Sequence, residues 1–212
     1  MCATLPTSTT PAYCPSCWPF WLALLAELSG QLLNLSQVGA QIGMDGKTVD
    51  KYMGLLEKLF LVRRRPAFSR NTLSRLIKSP KIHFLDAGLQ STLTRLTPER
   101  VLLERQRFGA TLETWVYCEL RKLLSICPEP WFLSHYRDLH GLQVDFVLES
   151  PLRAVVGIEV KASASVSVSD FKGQSQLLEH SGGAFVSGIV LYNGEHALPF
   201  GDGLWAVPLS RL

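Results

Sequence analysis

Residues 157–162 read GIEVKA. Val155, Val156, Ile158 and Val160 give the stretch the β-branched, apolar character of a buried strand, yet Glu159 and Lys161 sit inside it. Side chains alternate along a strand, so Glu159 and Lys161 share one face while Ile158 and Val160 take the other. Two explanations compete for that charged pair: a solvated ion pair, which contributes little, or the floor of a site. Just upstream, QVDFVLE (143–149) repeats the pattern, with Asp145 between Val144 and Phe146. Only Ser150 to Arg153 separate the two stretches, which predicts an antiparallel hairpin. Folding about Pro151 and Leu152 brings Asp145 roughly opposite Ile158 and Glu159, and twist or a bulge decides which face it joins.

Outward from the hairpin the rhythm is that of an α/β core around one mixed sheet. Further strands are expected near 131–137, 184–192 and 204–208, with a helix near 168–180 and Gly182–Gly183 as a turn. A long helical pattern covers Arg100 to Ile126, with Leu103, Phe108, Leu112, Trp115, Val116, Leu120 and Leu123 as its apolar stripe. Glu113 lies beside the core-facing residues of this helix and is expected at the edge of the sheet. Asp145, Glu159 and Glu113 are therefore candidate ligands for a hard divalent ion, Mg2+ or Mn2+, which prefers oxygen donors. Such an ion activates water and neutralises charge on a phosphodiester, and Lys161 would orient the nucleophile or stabilise the pentacovalent state.

The N-terminal part has another character. Helices are expected over Gln37 to Ile42, capped by Ser36, and over Lys47 to Leu59, joined by a turn at Gly43 to Gly46. Val49, Met53, Leu56 and Phe60 recur at helical spacing and are expected to face a core. FLVRRRPAF, with Arg63, Arg64 and Arg65, follows as a short strand stopped by Pro66. The unit from 18 to 65 resembles a winged helix. Its basic residues Lys47, Lys51, Arg63, Arg64 and Arg65 are candidate contacts to a phosphate backbone, with a protein-docking module as the equal alternative. Residues 66–98 read as a connector holding one short strand in KIHFLDAG, where Asp86 is a turn or helix cap.

The D-x(13)-E-V-K pattern of Asp145, Glu159 and Lys161, with Glu113 on a preceding helix, resembles the PD-(D/E)xK restriction-endonuclease-like superfamily. More closely, residues from about 22 to 210 resemble the domain of unknown function 4143 family. The matching pieces are ELSGQLLNLSQVGAQIG, TVDKYMGLLEKLFLV, KSPKIHFLDAGL, GATLETWVYCEL, QVDFVLE, GIEVKAS and GIVLYNGE. The resemblance implies a winged-helix segment at 18–65 followed by a restriction-endonuclease-like α/β domain at 99–212. It implies Glu113, Asp145, Glu159 and Lys161 as the active-site set, with Gln174 or Gln176 as an accessory polar group. It also implies a AAA-type ATPase module as the usual neighbour, and no phosphate-binding loop precedes residue 22 here. Gln143 departs from the acidic residue usual in that family, which would alter metal affinity.

Composition bounds these expectations. The chain has 212 residues and a net charge of +3, which permits nucleic acid as a partner without demanding it. Five cysteines at irregular places do not make a disulfide framework, and Cys14 and Cys17 form one lone CPSC. Residues 1–17, rich in Thr, Pro and Ser, read as an unstructured leader. Trp18 to Leu28 is apolar but too short to span a bilayer, and no basic stretch precedes it as in a secretory signal. A soluble, cytoplasmic protein without membrane partners is the resulting expectation. GMDGKT (43–48) imitates part of a phosphate-binding loop, but the required first glycine would fall at Gln41. His83, His135, His140, His180 and His196 show no paired metal spacing. The functional expectation is a nucleic-acid-binding protein with a nuclease-like site, which as an enzyme would be a magnesium-dependent nuclease acting on DNA or RNA. Its rival is a non-catalytic interaction module that partners a AAA-type ATPase.

Overall fold

Capping side chains decide where the first helices of the computed structural model begin; it describes residues 18–69, 79–103 and 105–212. The expectations of a leader and of the CPSC pair lie outside the described residues. Helix α1 spans Trp18–Glu27, α2 Leu35–Ile42 and α3 Gly46–Lys58. Asn34, not Ser36, caps α2: its side chain accepts the backbone N–H of Gln37. Gly43 closes α2 with φ 69°, a conformation that glycine adopts without cost. Asp45 then starts α3 by accepting the N–H groups of Lys47 and Thr48.

The end of α3 corrects one core assignment. Leu61 N–H donates to Leu56 O and Phe60 N–H to Glu57 O, the paired closure that places one residue in the left-handed region. That residue is Phe60, with φ 57° and 75% exposure. Val49, Met53 and Leu56 are buried as expected, and the helix stops before Phe60 can join them. Glycine is the residue this position favours. Phe60→Gly is expected to raise unfolding free energy by about 1 kcal/mol, seen as a higher urea midpoint at unchanged slope.

Strand β1 (Val62–Arg65) pairs antiparallel with β2 (Lys81–Phe84), followed by α4 (Ala87–Leu93). Asp86 caps α4 by accepting Leu89 N–H. Ile82 and Phe84 join Trp21, Leu25, Val38, Val49, Met53, Leu56 and Val62 in one core. That core therefore runs past residue 65 into the stretch read as a connector.

The long helical pattern divides into α5 (Pro98–Leu103) and α6 (Arg105–Ile126). Val116, Tyr117 and Leu120 of α6 are buried, whereas Leu103 and Leu123 are exposed, so the buried stripe is narrower than the apolar one. The sheet follows from β3 (Phe132–Arg137), β4 (Gln143–Glu149), β5 (Val155–Lys161), β6 (Phe185–Tyr192), β7 (Leu198–Gly201) and β8 (Leu204–Pro208). These make a six-stranded mixed sheet in the order β3-β4-β5-β6-β8-β7. The β4–β5 hairpin is antiparallel, while β5–β6 and β6–β8 are parallel. Strand β7, an antiparallel edge, was not anticipated.

Helix α6 packs on the sheet through Val116, Tyr117 and Leu120 against Phe146, Ile158 and Leu191. Helix α7 (Lys172–Ser181) brings Leu177 to Val144, Val147 and Val155. It comes so close that a Cβ on Gly157 would lie 2.1 Å from Gln174 Oε1. Gln174 is thus a packing residue whose Nε2 donates to Ile189 O, and Gln176 bonds Glu179. No described helix is long and apolar enough to cross a membrane.

Candidate active site

The hairpin ladder ends at the pair Phe146–Ile158, and one step beyond it Asp145 and Glu159 face each other. There the carboxylates replace backbone pairing. Asp145 N–H donates to Glu159 Oε2 at 3.2 Å, and Val160 N–H donates to Asp145 Oδ2 at 3.0 Å. Buried backbone donors need partners, so these bonds fix both carboxylates at the parting of β4 and β5. The convergence expected from the short turn is present. Lys161 lies further out on β5 and pairs with Asp170 at 3.3 Å.

Glu113 reaches this cluster from α6, but through cations. Lys81 Nζ, on β2, lies 3.2 Å from Glu113 Oε1 and 3.5 Å from Asp145 Oδ1. Arg65 Nη2, on β1, lies 3.4 Å from the same Glu113 oxygen. Both cations are buried, Arg65 at 2% exposure and Lys81 at 4%. The Arg65 guanidinium also sits over the Phe146 ring, 4.3 Å from its centroid, and 5.8 Å from that of Tyr117. His83, fully buried, stacks on Tyr117 with ring centroids 4.6 Å apart. The two-stranded ribbon thus inserts charge into the α/β core.

Arg65 consequently leaves the set of candidate nucleic-acid contacts, since a buried side chain cannot meet a phosphate. Arg64 is engaged as well: it pairs with Glu57 at 2.7 Å and with Asp50. Lys47, Lys51 and Arg63 remain exposed.

The electrostatics reflect crowding of acids. Burial pushes the Glu159 carboxyl well above its usual range, and Asp145 adds repulsion, against the pull of Lys161 and the Asp145 N–H. Burial and Asp145 also push Glu113 up, to about 7, although Lys81 and Arg65 oppose the shift. His83 is held neutral by burial and by the nearby Arg65 and Lys81 charges. His135 is pushed down to about 3, mainly by burial.

A carboxyl raised in the folded state binds its proton more tightly there than in the unfolded chain. Glu113 therefore adds stability that is complete below about pH 4.5 and is lost as pH rises through about 7. In metal-free buffer, wild type minus Glu113→Gln should fall in unfolding free energy from pH 5 to pH 8. The slope should approach about 1.4 kcal/mol per pH unit at its steepest, measured by chemical denaturation. Taking the difference removes most of the contribution of His135, whose lowered value acts in the opposite sense; His83 lies 3.6 Å from Glu113 Oε1 and responds to the substitution itself.

As ligands, the carboxylates are unequal. Glu159 Oε1 takes no hydrogen bond or ion pair from the described residues, whereas Lys81 and Arg65 converge on Glu113 Oε1. Among the described residues no three His, Cys, Asp or Glu side chains close into a ready metal cluster. Of the three candidate carboxylates, Asp145 and Glu159 face each other, and Glu113 is turned toward Lys81 and Arg65. Sequence patterning missed Lys81 and the inward turn of Arg65. The signal was available: KIHF carries a lysine within a four-residue strand that is buried throughout.

Comparison with known proteins divides the chain. Residues 108–212 match the family model described as Domain of unknown function (DUF4143), and residues 17–100 match Domain of unknown function (DUF8612). The chain is similar to the uncharacterized proteins Mb2031c of Mycobacterium bovis and Rv2008c of Mycobacterium tuberculosis. Each is 28% identical over 190 residues, covering 89% of this chain and 41% of the relative. The chain thus spans less than half the length of these relatives. A solved structure also aligns, a refined half-complex from a tetradecameric assembly of Thermococcus gammatolerans McrB AAA+ hexamers with bound McrC. Identity is 10%, the TM-score 0.35, and coverage 90% of this chain and 70% of that one.

Proposed function

We propose that the protein is a nuclease-like module in which Asp145 and Glu159 hold a divalent cation, Mg2+ or Mn2+, for phosphodiester cleavage. The observation that supports this most is the pair of carboxylates facing each other where β4 and β5 part, each fixed by a backbone N–H. The donor set suits a hard ion: it is all oxygen, and the raised Glu159 carboxyl marks an acidic crowd that a cation relieves. When bound, such an ion supplies Lewis acidity and a more acidic water. Asp145 keeps an acceptor in place through its bond from Val160 N–H. Lys161, 35% exposed in its side chain, stands at the rim to meet the phosphate or the attacking water once it leaves Asp170. Glu113 balances Lys81 and Arg65. Exposed Lys47, Lys51 and Arg63 would contribute phosphate contacts that position a nucleic acid without reading its sequence. In this proposal the N-terminal unit is a winged helix and the sheet domain is restriction-endonuclease-like.

A second function, protein docking to a AAA-type ATPase partner, draws on the exposed Leu59 and Phe60 at the end of α3, 56% and 75% exposed. The distinguishing experiment is cleavage of end-labelled single- and double-stranded DNA and RNA with Mg2+ or Mn2+. Metal-dependent product that disappears in Asp145→Asn supports the nuclease. Stoichiometric capture of an ATPase with no cleavage of any substrate supports the docking module.

A further inference from the structure

Lys81 occupies an unusual position for a lysine. It is a charged residue in a strand whose every residue is buried, and it comes from the N-terminal ribbon rather than from the sheet that carries the acids. Its ammonium lies between Glu113 Oε1 and Asp145 Oδ1, at 3.2 and 3.5 Å. Asp145 Oδ2 is already taken by Val160 N–H. Both Asp145 oxygens are therefore engaged, one of them by a lysine ammonium rather than by backbone. A lysine is a compact point charge on a flexible stem, so its head can withdraw where a guanidinium fork would not.

Resting on the proposal of a cation site at Asp145 and Glu159, we propose that Lys81 is a built-in counterion that competes with the divalent ion for Asp145. In the metal-free protein the Lys81 ammonium balances Asp145 and Glu113. Metal binding requires it to release Asp145 Oδ1 and retire toward Glu113, whose oxygen also faces Arg65. The seat of Lys81 on β2 makes the position of the N-terminal ribbon a determinant of metal affinity.

The test is a calorimetric titration of Mn2+ into wild type, Lys81→Met and Lys81→Arg, each checked for folding by its thermal transition. Lys81→Met keeps the stem and removes the charge. It should bind Mn2+ at least about tenfold more tightly, a modest fraction of what an unscreened neighbouring charge would give. Lys81→Arg keeps the charge and should not gain affinity. Equal affinities in wild type and Lys81→Met would overturn the competition while leaving the Asp145–Glu159 site intact. Binding in neither protein would overturn the metal site itself, and the competition with it.

A second measurement covers the case in which Lys81→Met does not fold. In wild type with 13C-labelled lysines, saturation with diamagnetic Mg2+ should shift the Lys81 Cε resonance, identified by its loss in Lys81→Arg. The resonances of exposed Lys47 and Lys51 should stay. Mg2+ binding that leaves Lys81 unmoved would overturn the competition.

Discussion

Replacing Arg65 by methionine is expected to lower unfolding free energy by about 3–5 kcal/mol at pH 8. The guanidinium of Arg65 lies over the Phe146 ring, and methionine surrenders that cation–π contact together with the charge. What is lost is the charge facing Glu113 and Asp145, so the acids remain buried beside Lys81 alone. Removing one partner of a buried ionic cluster costs more than the pair contributes, because the remaining charge keeps its desolvation penalty. In a domain of this size the loss should appear as a drop in Tm of roughly 10 °C, at about 2–4 °C per kcal/mol. The deficit should shrink at pH 5, where Glu113, raised to about 7, carries a proton and needs no counterion. Were Arg65 an exposed nucleic-acid contact, the same substitution would leave Tm unchanged and weaken only DNA binding. Arg63→Ala, exposed on the same strand, is the natural control.

Glu159→Gln carries the largest functional effect. The amide keeps the size of the side chain and still accepts Asp145 N–H, so the parting of the strands survives. It removes half of the anionic charge proposed to hold the cation. Cleavage should fall about 10³-fold, corresponding to some 4 kcal/mol of transition-state stabilisation. Stability should move the other way in metal-free buffer. Glu159 is raised well above its ordinary range, so its ionisation opposes folding as pH climbs past that of a free carboxyl. Neutral glutamine escapes this cost, and the variant should melt at or above the wild-type temperature at pH 8. Loss of cleavage together with a lower Tm would point to a structural glutamate.

The hairpin and its acids were legible because two local rules suffice for them. Alternation places Glu159 and Lys161 on one face, and a turn of a few residues brings Asp145 roughly opposite Ile158 and Glu159, with its face still open to twist or a bulge. Asp86 was equally plain as a cap. The two cations were not legible, because they depend on a long-range pairing. Arg65 in RRRP reads as surface charge until β1 is known to pair with β2 and to press on α6. Whether an arginine at the end of a strand points inward depends on what covers it, and here Phe146 and Tyr117 come from elements far along the chain. Phe60 failed for a local reason. Helical spacing assigns it to the core, but the chain turns through a positive φ one residue after the cap and directs the ring outward. Strand β7, LPFG, is short and carries a proline, as an edge strand can and a central one cannot.

The nuclease proposal stands on Asp145 and Glu159 binding a divalent cation together. Its most direct test is calorimetric titration of Mn2+ into wild type and into the Asp145→Ala, Glu159→Ala double variant, with and without duplex DNA. Saturable heat is expected in the wild type and should be abolished in a folded double variant. Heat that persists undiminished in the double variant, or no heat from the wild type under either condition, would contradict it.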